Sequence, residues 1–286
     1  MLAHAFMRHA FLAGTFVALA CGTVGYFVVL RAQVFAGDAL SHVAFTGALA
    51  AAAAGLDARI GLFAATVAVA GGLGALGDRA RADDVVIGSV FAWILGLGVL
   101  FLSIFTSGAG GANGTQGARV LFGSIFGLSA GNALLAAAVA AAVLLAMLAL
   151  ARPLLLASIA PSAAEAQGVP VRAIGIAFLL AVGVVAGEAT QAVGALLLLG
   201  LLSAPAGAAR LATADPWKGM AISAVLAVAA MWTGLTLSYM IDRLPPSTAV
   251  ILVAAAIYLV AAGARAWSTA RPRWRPNARR RSRQPV

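Results

Sequence analysis

The chain has 286 residues, of which 63% are hydrophobic and only 10% charged, and its mean hydropathy is +1.01. A soluble domain is nearer half apolar and a quarter charged, so this composition excludes one and indicates an integral membrane protein. The single cysteine, Cys21, excludes an internal disulfide and any cysteine-built zinc cluster.

Apolar windows of about twenty residues, the length that crosses a bilayer as a helix, fall near 10–30, 38–55, 60–77, 85–106, 131–151, 171–188, 190–211, 217–241 and 246–264. Ala, Leu, Val and Gly dominate them, without the short alternating segments of a barrel. The expected fold class is therefore all-α, a polytopic helical membrane protein with eight to nine transmembrane helices. Residues 1–264 form the membrane domain and 265–286 a basic, disordered tail.

In the first window Arg8 and His9 precede an apolar run, and Ala18-Leu19-Ala20-Cys21 faintly resembles a lipoprotein cleavage site. Leucine is misplaced for such a site and the run continues to Leu30, so the segment reads as a span of the mature protein. His4 and His9 lie ahead of it, where they would meet incoming solute. Cys21 reads as a small apolar residue inside the span.

The second window carries the chemistry. Gly37-Asp38-Ala39-Leu40-Ser41-His42 puts a carboxylate and an imidazole at i and i+4, on one helix face. Such a pair can take one divalent cation, and ionisable groups inside a membrane are functional candidates by default. The bland alternative is that Asp38 caps the second helix while His42 bonds a carbonyl. Both readings stay open for Asp38. Asp83 and Asp84, at the start of the fourth window, read as helix-start residues that offset the positive dipole end.

Two connections stand out beyond it. Thr106–Gln116 is rich in glycine and small polar residues, and Val120–Gly127 reads as a short interfacial helix. In Arg152–Arg172, Pro161 at the front, Gly168 at the end and helix formers between them spell a short helix with start and stop signals. It is too short to cross a bilayer and offers a soluble partner something to grip.

Pro205 interrupts the seventh window, which reads as a broken or partly re-entrant helix. Glu188, late in the sixth window, is a second candidate carboxylate: it could complete a cation shell or sit at the outer headgroup level. Asp57, Asp78, Asp215 and Asp242 fall in loops and read as solvated. Gly183 with Gly187, Gly123 with Gly127, and Gly71 with Ala75 stand at spacings that permit close helix approach.

The net charge of +10 is concentrated in a tail holding Arg271, Arg273, Arg275, Arg279, Arg280, Arg281 and Arg283. A cytoplasmic tail also puts Arg31, Arg79, Arg81, Arg152, Arg172, Arg210 and Lys218 inside and leaves Arg8, Arg59, Arg119 and Arg243 outside. The tail suits contact with anionic lipid headgroups. No folded basic surface accompanies it, which speaks against nucleic acid as a partner. The sole lysine, Lys218, follows no glycine loop, so the chain has no phosphate-binding loop of its own. Energy must come from a partner's ATP hydrolysis or from an ion gradient.

Four blocks, in order, resemble the membrane permease subunit of metal-ion ABC importers of the bacterial zinc and manganese group. They are Arg31 with Gly37–His42 and Gly47; Asp84-Val85-Val86-Ile87-Gly88; Leu121–Gly127; and Ala164–Arg172 running on to Gln191-Ala192-Val193-Gly194 and Ser203–Arg210. The resemblance implies a homodimer in the bacterial inner membrane, seated on two cytoplasmic ATPase subunits and fed by an external metal-binding lipoprotein or periplasmic protein. It implies no enzyme activity and no cofactor beyond the transported ion. Asp38 and His42 match the positions where family members hold the cation in transit. The segment with Pro161, Ser162, Glu165, Gln167 and Gly168 looks like the one that couples to the ATPase. The chain departs from the family at Glu188, often apolar there, and at Phe45 and Thr46, where small residues or proline are common. The competing readings are a permease for iron chelates, a secondary metal carrier or channel, and an intramembrane metalloprotease. The carrier would call for more intramembrane carboxylates. The protease would call for a histidine-glutamate zinc motif that His4, His9 and His42 do not form.

Overall fold

The structure, a computed structural model, describes residues 4–76, 84–107, 123, 125–195, 198–241 and 243–270. Among these residues it is all-helical. In chain order the helices are α1 (Ala5–Leu30), α2 (Val34–Ala53), α3 (Ala58–Leu76), α4 (Asp84–Ser107), α5 (Ala130–Ile159), α6 (Pro161–Ala166), α7 (Val171–Val193), α8 (Leu198–Ala212), α9 (Pro216–Met240) and α10 (Pro246–Ala270). A single 3-10 turn, Ile125–Gly127, precedes α5. Eight of the helices, all but α6 and α8, are long and apolar enough to cross a membrane.

The seventh apolar window resolves differently from its sequence reading. Helix α7 runs on to Val193, and the chain breaks at Gly194, whose φ of 91° lies where only glycine is at ease. Pro205 sits inside α8 without ending it, because neighbouring groups in a bundle absorb the missing N–H. With 15 residues, α8 is about 22 Å long at 1.5 Å per residue. That is short of the roughly 30 Å hydrocarbon layer.

The fifth window also ends later than expected. Helix α5 passes through Arg152 and Pro153 to Ile159 and has 30 residues, so most of the connection 152–172 is helix. Of the short interfacial helix expected across 120–127, residues 120–122 and 124 lie outside the described residues, as do 108–116 of the glycine-rich connection, and Ile125–Gly127 form a 3-10 turn. Asp78, Asp83, Asp242, Arg79, Arg81, Arg119 and the arginines from 271 onward lie outside them too. Helix α10 continues through Ala270.

Helix α1 is the central post. In its apolar window 72% of residues are buried, against 11% in α4, and it packs on α5, α7, α8 and α9. Helix α4 leans chiefly on α2. Small residues set the spacing, as expected where lipid supplies no hydrophobic drive between helices. Gly47 of α2 and Gly61 of α3 face each other so closely that a Cβ on either would strike the other's carbonyl oxygen. Gly183 and Gly187 of α7 abut Thr66, Ala70, Leu62 and Phe63 of α3, while Gly71 makes no comparably close approach. Cys21 is fully buried in α1.

At one end of the bundle, arginines bond the exposed carbonyls of helix C-termini. Arg172 donates to Ala75 O of α3 (2.9 Å), Arg210 to Val29 O of α1 (3.2 Å) and Arg265 to Leu211 O of α8 (3.2 Å). Cations there complement the negative dipole ends. The short helix α6 lies at this same end.

Candidate metal site

Helix α1 ends in a Schellman turn: Gln33 N donates to Val28 O (2.8 Å) and Ala32 N to Val29 O (3.3 Å). Ala32 occupies the left-handed position of that turn, with φ 55°. Helix α2 then starts at Val34, with Gln33 as its N-cap and no side-chain cap bond. Asp38 is the fifth residue of α2, so the capping reading fails for it. Asp38 and His42 lie about 6 and 12 Å along the helix from its start.

Both side chains are half-buried, on one face of α2, while Gly37, Ala39, Leu40 and Ser41 are buried on the others. Phe91 of α4 meets the His42 ring edge-on, with centroids 5.1 Å apart, and also packs on Phe35 at 5.7 Å. One turn beyond His42, the Thr46 hydroxyl donates to Ile94 O of α4 at 3.0 Å. That bond fixes α4 beside the pair. Among the described residues no hydrogen bond engages the Asp38 carboxylate or the His42 imidazole, which leaves their lone pairs free for a cation.

The structure does not bring Glu188 to this pair. Among the described residues no three His, Cys, Asp or Glu side chains stand together in a metal-holding group. Glu188 is buried near the far end of α7, 3.7 Å from the Arg59 guanidinium, with side chains 1% and 19% exposed respectively. Arg59 also donates to Asn132 Oδ1 of α5 at 3.2 Å. By charge bias alone Arg59 falls on the outer side with no partner assigned, and the pairing with Glu188 emerges only from the fold. The signal was there: a carboxylate this deep in a span calls for a counter-charge. His4 is the N-cap residue of α1 and stacks on Phe6 at 5.6 Å, at that same far end.

Two of the loop aspartates serve as caps. Asp57 Oδ1 accepts from Arg59 N (2.8 Å), and Asp215 Oδ1 accepts from Trp217 N and Lys218 N at the start of α9.

Helix α6 has the shape that its sequence spells. Pro161 occupies the first turn. Gly168, at φ 76°, closes a Schellman end in which Val169 N donates to Ala164 O and Gly168 N to Glu165 O. Ala164 is buried and anchors the helix, while Pro161, Ser162, Glu165, Gln167 and Gly168 are exposed.

A bundle of long apolar helices with one half-length helix, an acid–imidazole pair inside a span and a protruding capped helix defines a membrane transport subunit. The ABC 3 transport family profile matches residues 3–264, and the chain belongs to that family. It is 28% identical over 262 residues to the manganese transport system membrane protein MntC of Halalkalibacterium halodurans, covering 91% of this chain and 88% of that one. It is 28% identical over 260 residues to a probable iron transport system membrane protein of Haemophilus influenzae, covering 90% and 92%. Among solved structures, PsaBC from Streptococcus pneumoniae in complex with Fab superposes with a TM-score of 0.76 at 25% identity, over 90% of this chain and 91% of that one. The resemblance drawn from the four sequence blocks therefore holds: the chain is a metal-ion ABC importer permease, a transport protein and not an enzyme.

Proposed function

We propose that the chain carries a first-row divalent cation, with manganese first and zinc or ferrous iron as alternatives, through a transient site made by Asp38 and His42. The observation that carries this reading is the half-buried pair on one face of α2, spaced to share an ion and free of competing hydrogen bonds. A hard carboxylate oxygen and a borderline imidazole nitrogen suit such an ion. Two ligands per protomer leave the shell incomplete, which favours release over storage. Manganese leads because MntC and the Streptococcus parasanguinis permease ScaB, 28% identical over 261 residues, are named for it. Glu188 is a third candidate ligand, engaged by Arg59 in this structure.

The working unit is a homodimer. A carboxylate and an imidazole cannot face hydrocarbon, so a second copy covers the α2–α4 face and encloses a wet path there. Trp93, midway along α4 and 73% exposed, carries an indole N–H that would lack a partner in lipid. Two separate ATPase subunits grip α6 from the cytoplasm through Pro161, Ser162, Glu165, Gln167 and Gly168. An external metal-binding protein delivers the ion to the opposite face. The C-terminus is cytoplasmic, and its arginines meet anionic lipid in the inner membrane.

Uptake of labelled Mn²⁺ into cells bearing Asp38→Ala or His42→Ala tests the site. A drop of at least tenfold at normal expression is expected; near-normal uptake overturns it. Reversing the charge at Glu165 is expected to lower transport-linked ATP hydrolysis.

A further inference from the structure

We propose that Arg31 is a positioning residue, a strut that passes movement of α6 to the helix bearing Asp38 and His42. The inference rests on the function set out above and adds the part that joins its two ends. The Arg31 guanidinium donates from Nη1 to Ser158 Oγ at 3.1 Å and lies 5.3 Å from the centre of the Phe178 ring. A Cβ added to Gly175 would stand 3.8 Å from Nη2.

These neighbours are the two arms of α6. Ser158 belongs to the last turn of α5, three residues before Pro161; Gly175 and Phe178 lie in the first turns of α7, which leaves α6 through Val169 and Pro170. One side chain thus touches both the segment entering α6 and the segment leaving it. On its own side, Arg31 is the C-cap of α1 and opens the tight turn into α2. Asp38 follows seven residues later. The Arg210 bond to Val29 O holds the same corner to the end of α8. A push on α6 therefore reaches α2 through a corner with few internal degrees of freedom.

A purely structural role fits poorly. Nε of Arg31 is buried without a hydrogen-bond partner, and among the described residues no carboxylate pairs with it. Burying part of a cation without a counter-charge is costly, and an apolar side chain of the same length would fill this space without that cost. The hydrogen bond to Ser158 of α5 and the cation–ring contact with Phe178 of α7 are what that replacement would lose. Coupling of this kind is a free energy between two sites and is tested as one.

The test uses the permease assembled with its ATPase in proteoliposomes, reading Mn²⁺ moved per ATP hydrolysed, Mn²⁺ bound by the purified complex and its melting temperature. Arg31→Met is expected to lower the transport ratio at least tenfold while Mn²⁺ binding and melting stay at the wild-type level. Ser158→Ala is expected to lower the ratio several-fold, and the double variant to fall no further than Arg31→Met alone, since both remove one contact. Should Arg31→Met fail to fold, Ser158→Ala, which deletes a single hydroxyl, decides. Wild-type ratios in the two single variants, or effects that multiply in the double one, overturn the strut. Loss of Mn²⁺ binding in step with transport overturns it too, by making Arg31 part of the ion site. A wild-type complex that moves no Mn²⁺ on ATP hydrolysis overturns the importer reading and the strut with it.

Discussion

The Arg59 guanidinium and the Glu188 carboxylate stand 3.7 Å apart inside the bundle, joining the first turn of α3 to the C-terminal part of α7. Neither carboxylate oxygen accepts a hydrogen bond, and Arg59 keeps Nη1 for Asn132 of α5. Charge alone thus ties α3 to α7, while a hydrogen bond from the same guanidinium ties α3 to α5. Deleting one partner leaves the other charge buried, which costs about 3–5 kcal/mol. Glu188→Leu is expected to lower the melting temperature in detergent sharply, and Arg59→Leu with Glu188→Leu to recover most of it. Mn²⁺ uptake in the recovered double variant then separates two roles. Normal uptake makes the pair an architectural clasp; lost uptake makes Glu188 a ligand.

Gly47 and Gly61 bring α2 against α3 backbone to backbone. A methyl group on either would have to displace one helix, and overpacking of this kind costs about 1–3 kcal/mol. Gly47→Ala is expected to melt earlier. It is also expected to reduce uptake beyond what stability explains, because Asp38 and His42 ride on α2. A variant that melts and transports like the wild type would show that the two helices separate easily.

Ala32 holds a left-handed backbone conformation at the α1–α2 corner, with φ 55°. An L-residue there costs roughly 1–2 kcal/mol, of which glycine's greater freedom in the unfolded chain returns about 0.4–1 kcal/mol. Ala32→Gly is expected to raise the melting temperature slightly. An unchanged or lower value would mean that the corner relaxes away from this geometry.

The exposed face of α4 carries Trp93, mid-span. With a second copy covering it, Trp93→Cys is expected to cross-link between protomers under mild oxidation in native membranes, as a dimer band on a non-reducing gel. Leu145→Cys, on the exposed side of α5 (66%), is expected to stay monomeric. The reverse pattern would move the interface to α5.

The long spans were legible because each is an unbroken apolar stretch, and α6 because proline and glycine bracket it. Asp38 and His42 were legible because helical spacing alone places them on one face. What the residues hid was local balance. Arg152 and Pro153 look like the end of a span, yet α5 passes both, since a helix emerging from a membrane tolerates charge and a proline in its last turns. Pro205 looks like the break, yet Gly194 makes it, because only a residue free at positive φ turns the chain back there. The Arg59–Glu188 pair was out of reach of spacing arguments: its members are brought together only once α3 packs on α7, which the glycines at 183 and 187 permit.

Cys21 lies sealed within the central post, out of contact with any reagent that reaches the surface. The natural chain is thus already blank to thiol-directed spectroscopy. A spin label or fluorophore attached at an introduced cysteine on α6 would report from that place alone, and distances across the working assembly can be followed in a protein whose own thiol was left untouched.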